Sequence, residues 1–372
     1  MQARPGGLTG ARPSATLAAR EAPAVADTRS DDIRDEIRRQ IISGRLPAGS
    51  RLPTERDLAA RYGTSLTTLN KVMAGLELEG LLERRRGTGT FVRPDLAERA
   101  MGVVLGPPDA PPGPRFWATL ARAALESAAK GPGGVRGYLA AGSVPPEETA
   151  LARDAAAGRL AGALLLGAGA GPAEALARVG LASVRLAGDG PGPSVGPAWR
   201  EAVRETAARM LSRGAWPLAI ALPPGPWADD MADGYADALT LRGLAPDPGL
   251  VGRADQADGP PGWAWARGLV GRGVRGLLLL GAEPEAALAA VAAARVRVPE
   301  DLALVVAAIA GQTPAFSVGL ARLELDPMAL VQAGLALLAD ARRADADGGD
   351  RPLPSRRLEP RFIAGATLHM NI

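Results

Sequence analysis

Hydrogen-bonding and cationic side chains are concentrated in one short part of this chain, between residues 51 and 88. Arginine and lysine carry a positive charge, and hydroxyl and amide groups donate and accept hydrogen bonds. Together they suit the phosphate oxygens and base edges of a nucleic-acid duplex. The residues that we predict to make such contacts are Arg51, Arg56, Ser65, Thr67, Thr68, Asn70, Lys71, Arg86, Gly87 and Thr88.

The distribution of charge agrees with this prediction. Residues 28–94 contain 13 Lys and Arg and 9 Asp and Glu, which gives this segment a net charge of +4. The whole chain carries +3, so the rest of it carries −1. Positive charge is therefore localised, as expected where a protein contacts a phosphate backbone.

Residue types that support catalysis are scarce. The chain has no cysteine and one histidine, His369 near the C-terminus. Its two lysines are Lys71 and Lys130, so no Schiff-base lysine is available deep in the second half. The glycines at 167–171 follow an apolar run, but their spacing differs from that of a dinucleotide-binding loop. We predict that the chain is not an enzyme and has no metal site and no cofactor.

Three short helices must position the polar residues. Ile33, Ile37 and Ile41 share one face of a first helix that starts at an N-cap at Ser30 or Asp31 and ends at Gly44. Thr54 is placed to cap a second helix over 55–62, which Gly63 ends. Ser65 then caps a third helix that runs to about Glu79.

The third helix is amphipathic, and a basic hairpin follows it. Its apolar residues are predicted to face inward, and they are Leu69, Val72, Met73 and Leu76. The polar residues near its N-terminus then point outward. Gly80 closes this helix, and a hairpin begins at Leu81-Leu82 with residues 84–90 at its tip. This order predicts a winged helix-turn-helix, whose recognition helix lies in the major groove with its N-terminal residues on base edges.

The predicted winged helix-turn-helix segment resembles the DNA-binding domain of the GntR family of bacterial transcription regulators. The residues that carry the resemblance are Ile41, Gly44, Pro47-Ala48-Gly49, Leu52 to Arg56, Leu58, Ser65, Thr67-Thr68, Leu76, Gly80, Leu81 and Gly87 to Val92. The resemblance implies that Arg56 grips a phosphate or a base and that Ser65, Thr67 and Thr68 anchor the recognition helix. It also implies that Gly87 lets the wing approach the minor groove.

Two positions of the recognition helix depart from the family pattern. Leu66 and Asn70 stand where the family usually has arginines that contact DNA. Asn70 is still able to pair with an adenine edge. The operator therefore need not match a family consensus.

Amino-acid composition and the positions of proline and glycine divide the chain into four parts. We predict a flexible tail over 1–27, a winged helix-turn-helix domain over 28–94, a linker over 95–100 and a larger domain over 101–372. No apolar run is long enough to span a membrane, and no signal peptide is recognisable. The expected location is the cytoplasm.

The larger domain alternates short apolar runs with helical patterns. The expected strands are Gly102–Leu105, Ala161–Leu166, Ala182–Leu186, Pro217–Ala221, Val274–Leu280 and Leu302–Val306. Alternation of this kind predicts parallel sheets flanked by helices, and the length predicts two lobes. We expect lobe 1 to comprise about 101–193 and 309–322, and lobe 2 about 194–308 and 323–372. The predicted fold class is thus α/β with an N-terminal winged helix-turn-helix.

This region is similar to the effector domain of the LacI/GalR family. The markers are Val298 to Asp301 before an apolar strand, Gly234-Tyr235, Arg213-Gly214 and the tail from Leu358 to Phe362. Sugar-binding members carry an Arg, an Asp and an Asn-Asp pair where this chain has Met231, Ala308 and Leu280-Gly281. Apolar side chains cannot replace hydrogen bonds to sugar hydroxyls. An effector less polar than a simple sugar, or no effector, is expected.

The two resemblances together predict a bacterial transcription regulator, a repressor that binds double-stranded DNA as a homodimer on a palindromic operator. A small-molecule effector would bind between the lobes and change the arrangement of the DNA-binding domains. In the alternative, the large domain is a ligand-free dimerisation module. An enzyme joined to a DNA-binding domain is the third and weakest hypothesis.

Overall fold

Three helices and a hairpin precede two α/β lobes along the chain. The computed structural model describes residues 24–107, 113–140, 148–188, 190–253, 268–269, 272–281, 284–312, 314–316, 318–347 and 353–368. The predicted fold class is confirmed by this architecture. Residues 1–23 of the expected tail and His369 lie outside the described residues.

The N-terminal domain consists of α1 (Ala24–Ser43), α2 (Glu55–Tyr62), α3 (Leu66–Leu78) and the strands β1 (Leu82–Arg85) and β2 (Gly89–Val92). The predicted inward residues of the first and third helices are all buried in one apolar core, with Leu58 of α2 and Val92 of the hairpin. Helix α1 begins at Ala24 instead of after Ser30, so residues 24–27 are helical and do not belong to a tail. Nothing between Ala24 and Ser30 breaks a helix, and Pro23 stands directly before its first residue.

Lobe 1 is built on a parallel six-stranded sheet in the order β13-β7-β6-β5-β3-β4. Its strands are β3 (Ala100–Leu105), β4 (Val135–Leu139), β5 (Leu160–Leu166), β6 (Ser183–Leu186), β7 (Ser194–Pro197) and β13 (Arg356–Leu358). Its helices are α4 (Pro114–Ala128), α5 (Ala150–Ala156), α6 (Ala170–Arg178) and α10 (Pro327–Ala346). β5 is buried along nearly its whole length, as expected for a strand covered on both faces.

Lobe 2 has a second six-stranded sheet, in the order β14-β12-β11-β10-β8-β9, which is parallel except for β14. Its strands are β8 (Leu218–Leu222), β9 (Val251–Arg253), β10 (Gly276–Leu279), β11 (Ala303–Ile309), β12 (Ala321–Leu325) and β14 (Arg361–Ile363). The described helices of this lobe are α7 (Trp199–Leu211), α8 (Trp227–Thr240) and α9 (Pro284–Ala293).

The chain passes between the lobes three times, and the expected crossing points were wrong. The first crossing follows β7, the second follows β12 and the third lies between β13 and β14. β7 therefore belongs to lobe 1, and β12 belongs to lobe 2, where it pairs with β11. Short strands such as β7 and β12 carry no sequence signal for the sheet that they join, so the expected boundaries put β7 in lobe 2 and divided β12 between the lobes.

Helix α10 was also expected in lobe 2, but it covers the sheet of lobe 1. Its apolar stripe packs on β5 and β6. Gly334 permits the close approach, since a Cβ there would lie 2.5 Å from Leu186 Cδ2. The periodicity of α10 predicts a helix with one apolar face but does not specify which sheet that face covers.

Candidate nucleic-acid interface and interlobe cleft

The turn between α2 and α3 is fixed by caps at both ends. The hydroxyl of Thr54 accepts a hydrogen bond from the backbone N–H of Asp57 at 3.2 Å, which starts α2. Gly63 ends α2 in the left-handed conformation, with φ of 59°. Ser65 Oγ then accepts from Thr68 N at 3.1 Å and starts α3. These caps set the angle between the two helices of the helix-turn-helix.

Helix α3 presents its polar face to solvent. Four of the predicted contact residues are exposed, namely Ser65, Thr67, Asn70 and Lys71. Thr68 is half-buried, and its hydroxyl lies 2.9 Å from Ser65 Oγ, so it forms part of the cap. Leu66 is 45% exposed on the same first turn, which makes it an apolar group on an otherwise polar surface.

The hairpin β1–β2 forms a wing whose tip is exposed to solvent. Its strands pair antiparallel from Leu82↔Val92 to Arg85↔Gly89, which leaves residues 86–88 at the turn. Arg86, Gly87 and Thr88 are exposed, and Gly87 has a φ of 76° with no atom near the position of a Cβ. The guanidinium of Arg51 lies against the wing close to its turn, since a Cβ on Gly89 would lie 3.0 Å from Arg51 Nε.

The cations of this domain fall into two groups. In one group, the guanidinium pairs with a carboxylate, as Arg38 does with Glu79 at 2.7 Å and Arg84 with Glu55 at 2.8 Å. Burial alone would lower the pKa of Arg38, but the hydrogen bonds and charge of Glu79 raise it overall. In the other group, the side chain is exposed and has neither a hydrogen bond nor a carboxylate partner among the described residues; its members are Arg51, Arg56, Arg61, Lys71 and Arg86.

All four predicted cationic contacts fall in the unpaired group, and the structure adds Arg61. An unpaired cation is free to neutralise phosphate, whereas a paired one has already lost that capacity in part. The sequence did not single out Arg61, because it does not show which arginines are paired with carboxylates. That pairing depends on contacts between helices, such as the one between Arg38 and Glu79.

The N-terminal domain contacts lobe 1 through the predicted linker. Leu96 is buried in the core of the N-terminal domain, and the Leu81 side chain lies close to Gly158 of lobe 1. Arg99 donates to the carbonyls of Leu96 and Ile42 at 2.6 and 3.0 Å, and burial lowers its pKa. Arg45, in the turn that follows α1, donates a hydrogen bond to the backbone carbonyl of Asp345 in α10 at 2.9 Å. Residues 95–100 are therefore packed and hydrogen-bonded.

A cleft of about 120 Å³ lies between the two lobes. It is located at the carboxyl ends of β8, β10, β11 and β12, where open α/β sheets usually bind ligands. Most of its lining is apolar and includes Phe116, Trp199, Trp227, Met231, Leu280, Ala308, Ile309 and Leu325.

Two polar contacts join the lobes at this cleft. Arg115 of α4 pairs with Glu285 of α9 at 2.6 Å, and Gln312 donates to the hydroxyl of Thr119 at 2.7 Å. Both members of the ion pair are well exposed, so the pair contributes little to stability by itself. These contacts connect the lobes across the cleft.

The four positions that the sequence singled out by resemblance all line this cleft. Met231 lies on α8, Ala308 on β11, and Leu280 and Gly281 follow β10. None of the four offers a charged or amide side chain to a ligand. The sequence did not draw attention to Trp199 and Trp227, which occupy the first positions of α7 and α8.

The described residues contain no group of three or more His, Cys, Asp or Glu side chains with the arrangement of a metal site. Within the same part of the chain, no helix combines the length and the apolar character needed to cross a bilayer.

Residues 29–92 match the family model described as "Bacterial regulatory proteins, gntR family". Over 63 residues the chain is 44% identical to the HTH-type transcriptional regulator Rv0792c of Mycobacterium tuberculosis, a match that covers 17% of this chain and 23% of that protein. It is 43% identical over 61 residues to the HTH-type transcriptional regulator SmoD of Agrobacterium fabrum, covering 16% of this chain and 26% of that protein. The chain thus spans about a quarter of the length of the curated relatives that it matches.

The fold extends the comparison to the two lobes. A transcriptional regulator CelR–cellobiose complex covers 85% of this chain and all of its own, with a TM-score of 0.55 and 18% identity. The lac repressor dimer bound to operator and an anti-inducer covers 82% of this chain and 91% of its own, with a TM-score of 0.54 and 15% identity. A sugar-binding transcriptional regulator of the LacI family from Escherichia coli covers 72% of this chain and 97% of its own, with a TM-score of 0.52 and 17% identity. Residues 29–92 are a GntR-type helix-turn-helix, joined to a domain with the LacI-like fold.

Proposed function

We propose that this chain is a transcription regulator that represses its target genes by binding an operator duplex through residues 29–92. The observation that carries the proposal is the exposed face of α3, anchored by the Ser65 cap and surrounded by unpaired cations. In this arrangement, Ser65, Thr67, Asn70 and Lys71 lie along the major groove. Arg51, Arg56 and the wing tip contact the backbone and the adjacent minor groove.

The proposed regulator acts as a homodimer on a palindromic operator. A two-fold protein requires two half-sites separated by about one helical turn of about 10 base pairs, or by a multiple of it. The lobes supply the dimer contact and a ligand-binding cleft. Occupation of the cleft changes the angle between the lobes, and the packed residues 95–100 transmit that change to the N-terminal domain.

The direct test is selection of bound duplexes from fragmented genomic DNA, followed by gel-shift titration of the selected sequence. We expect the selected DNA to contain a palindromic sequence and light scattering to show a dimer. A promoter that contains this sequence should be transcribed less when the protein is present. Absence of binding to any duplex at low salt would refute the proposal.

One observation favours a second candidate for the lobes. The contacts of Arg115 with Glu285 and of Gln312 with Thr119 join the lobes directly across the cleft. This fits a regulator whose large domain only dimerises. Calorimetry distinguishes the two candidates, because a ligand-free module shows no heat of binding with any small molecule. Its affinity for DNA should also be the same with and without added small molecules.

A further inference from the structure

Aromatic side chains are rare in this chain but meet in the cleft. The whole sequence has six Trp, three Tyr and four Phe, which amount to 3% of its residues. Phe116 contacts Trp117 and Trp227 edge-to-face, with centroid separations of 5.0 and 5.2 Å. Trp199 lies 6.0 Å from Trp227. Such a cluster offers ring faces and edges that favour another aromatic ring.

One polar atom in this cluster lacks a partner. Trp199 is only 3% exposed, and its Nε1 has no hydrogen-bond acceptor within the described part of the chain. A buried donor without an acceptor is costly and is uncommon in folded proteins. Trp199 lines the cleft, but its Nε1 has almost no accessible surface, so an acceptor on a bound molecule satisfies this N–H only after the side chains that cover it shift.

Three helices that begin at the cleft also lack side-chain caps. The N-caps of α4, α7 and α8 are Gly113, Ala198 and Pro226, and none of them makes a side-chain hydrogen bond to the helix. Polar side chains cap other helices of the chain, as Thr149 does for α5 and Asp326 for α10. Free N–H groups and the helix dipole make these first turns favourable for a negatively charged acceptor.

We infer that the cleft binds a small aromatic carboxylate, with its ring against Phe116, Trp199 and Trp227 and one carboxylate oxygen on Trp199 Nε1. This inference rests on the proposed function, since it names the effector of the same regulator. The cleft of about 120 Å³ is slightly smaller than an apolar cavity of about 150 Å³ that holds benzene, so it admits no more than one ring. The apolar Met231, Leu280 and Ala308 leave sugar hydroxyls without partners.

The test measures binding of benzoate, toluene and glucose to the full chain by calorimetry. Toluene has nearly the shape of benzoate but offers no hydrogen-bond acceptor. Benzoate should bind at least about tenfold more tightly than toluene, and glucose should not bind. Equal affinities for benzoate and toluene, no binding of benzoate, or binding of glucose would overturn the inference.

The variant Trp199→Phe keeps an aromatic ring and removes the N–H. It should weaken benzoate binding by about threefold to tenfold and leave toluene binding unchanged. The matched control is Trp216→Phe, because Trp216 is 37% exposed and does not line the cleft. If both variants bind benzoate like the unmodified protein, Trp199 Nε1 is not the donor.

The ligand comparison on the unmodified protein does not depend on any variant being folded. Gel-shift titration of the same preparations separates this inference from the proposed function. Tight operator binding without benzoate binding rejects the ligand class alone. Loss of all duplex binding rejects the regulator itself.

Discussion

The guanidinium of Arg99 donates a hydrogen bond to the backbone carbonyl of Ile42 at 3.0 Å. Ile42 lies at the end of α1, and Arg99 directly precedes β3, so this bond joins the N-terminal domain to the first strand of lobe 1. A carbonyl near a helix end lacks an intrahelical partner, and a buried arginine is well suited to supply one. The bond thus restricts the angle between the two domains.

Replacement of Arg99 by Ala should loosen this junction without removing any proposed DNA contact. A rigid dimer tolerates only one spacing between half-sites, whereas a loosened one tolerates several. We expect insertion of five base pairs between half-sites to weaken binding much less in Arg99→Ala than in the unmodified protein. Arg122→Ala, on the exposed face of α4, serves as the control in these gel shifts. Equal insertion penalties in all three proteins would show that Arg99 does not set the spacing.

Arg56→Ala and Thr67→Ala should each lower operator affinity by about tenfold, because a lost contact to phosphate or base costs about 1–3 kcal/mol. Both side chains are exposed, and neither makes a hydrogen bond or an ion pair with the described residues. Circular dichroism should therefore be unchanged while the gel-shift midpoint moves. Unchanged affinity in both variants would remove them from the interface.

The sequence predicted much of the N-terminal domain because its signals are local. Thr54, Gly63 and Ser65 are caps, and each acts within a few residues of its own position. The lobe membership of β12 and α10 could not be predicted in this way, since it depends on pairing between distant segments. The unpaired N–H of Trp199 and the isolation of Arg61 from carboxylates are likewise properties of the folded arrangement.

The two lysines of the chain form a natural pair of variants for testing phosphate contact. Lys71 is exposed on α3, and Lys130 is exposed just after α4 in lobe 1. Lys71→Ala should reduce the slope of log affinity against log salt by about 1, because one fewer counterion is released. Lys130→Ala changes the net charge equally and should leave the slope unchanged. The same slope in both variants would indicate that Lys71 does not touch phosphate.

Asp154 gives lobe 1 a stability that depends on pH. Its side chain, 13% exposed, accepts hydrogen bonds from Tyr138 at 2.7 Å and Arg159 at 2.8 Å. Burial alone would raise the pKa of Asp154, but these bonds and the nearby arginines hold it below the ordinary value of an aspartate. Because the folded pKa is lowered, the stabilisation is complete above the unfolded pKa and is lost as the pH falls through the folded one.

Asp154→Asn should therefore lower the free energy of unfolding by about 1–2 kcal/mol at pH 7, with a smaller difference below about pH 4. Urea titrations at pH 7 and pH 3 measure both values. The control is Glu126→Gln, whose exposed pair with Arg122 should change stability by less than about 0.5 kcal/mol. A loss for Asp154→Asn that is constant with pH would contradict the assigned role of its charge.

Leu66 should make the regulator sensitive to a thymine methyl group. It is 45% exposed at the first position of α3, next to the polar contact residues. In the major groove, an apolar side chain finds its complement in the C5-methyl of thymine. Replacing the contacted thymine of the selected operator by uracil removes only that methyl. Affinity should fall by about fourfold, the value of about 0.8 kcal/mol for one buried carbon.

Leu66→Ala distinguishes this contact from a general effect on the duplex. The variant should bind the thymine operator about as weakly as the unmodified protein binds the uracil operator, and it should gain nothing from the methyl. Asn70, four residues later on the same helix, provides the comparison, because Asn70→Ala removes a polar contact and should keep the full response to the methyl. If Leu66→Ala responds to uracil as strongly as the unmodified protein does, the exposed leucine does not read thymine and the methyl acts through the shape of the DNA.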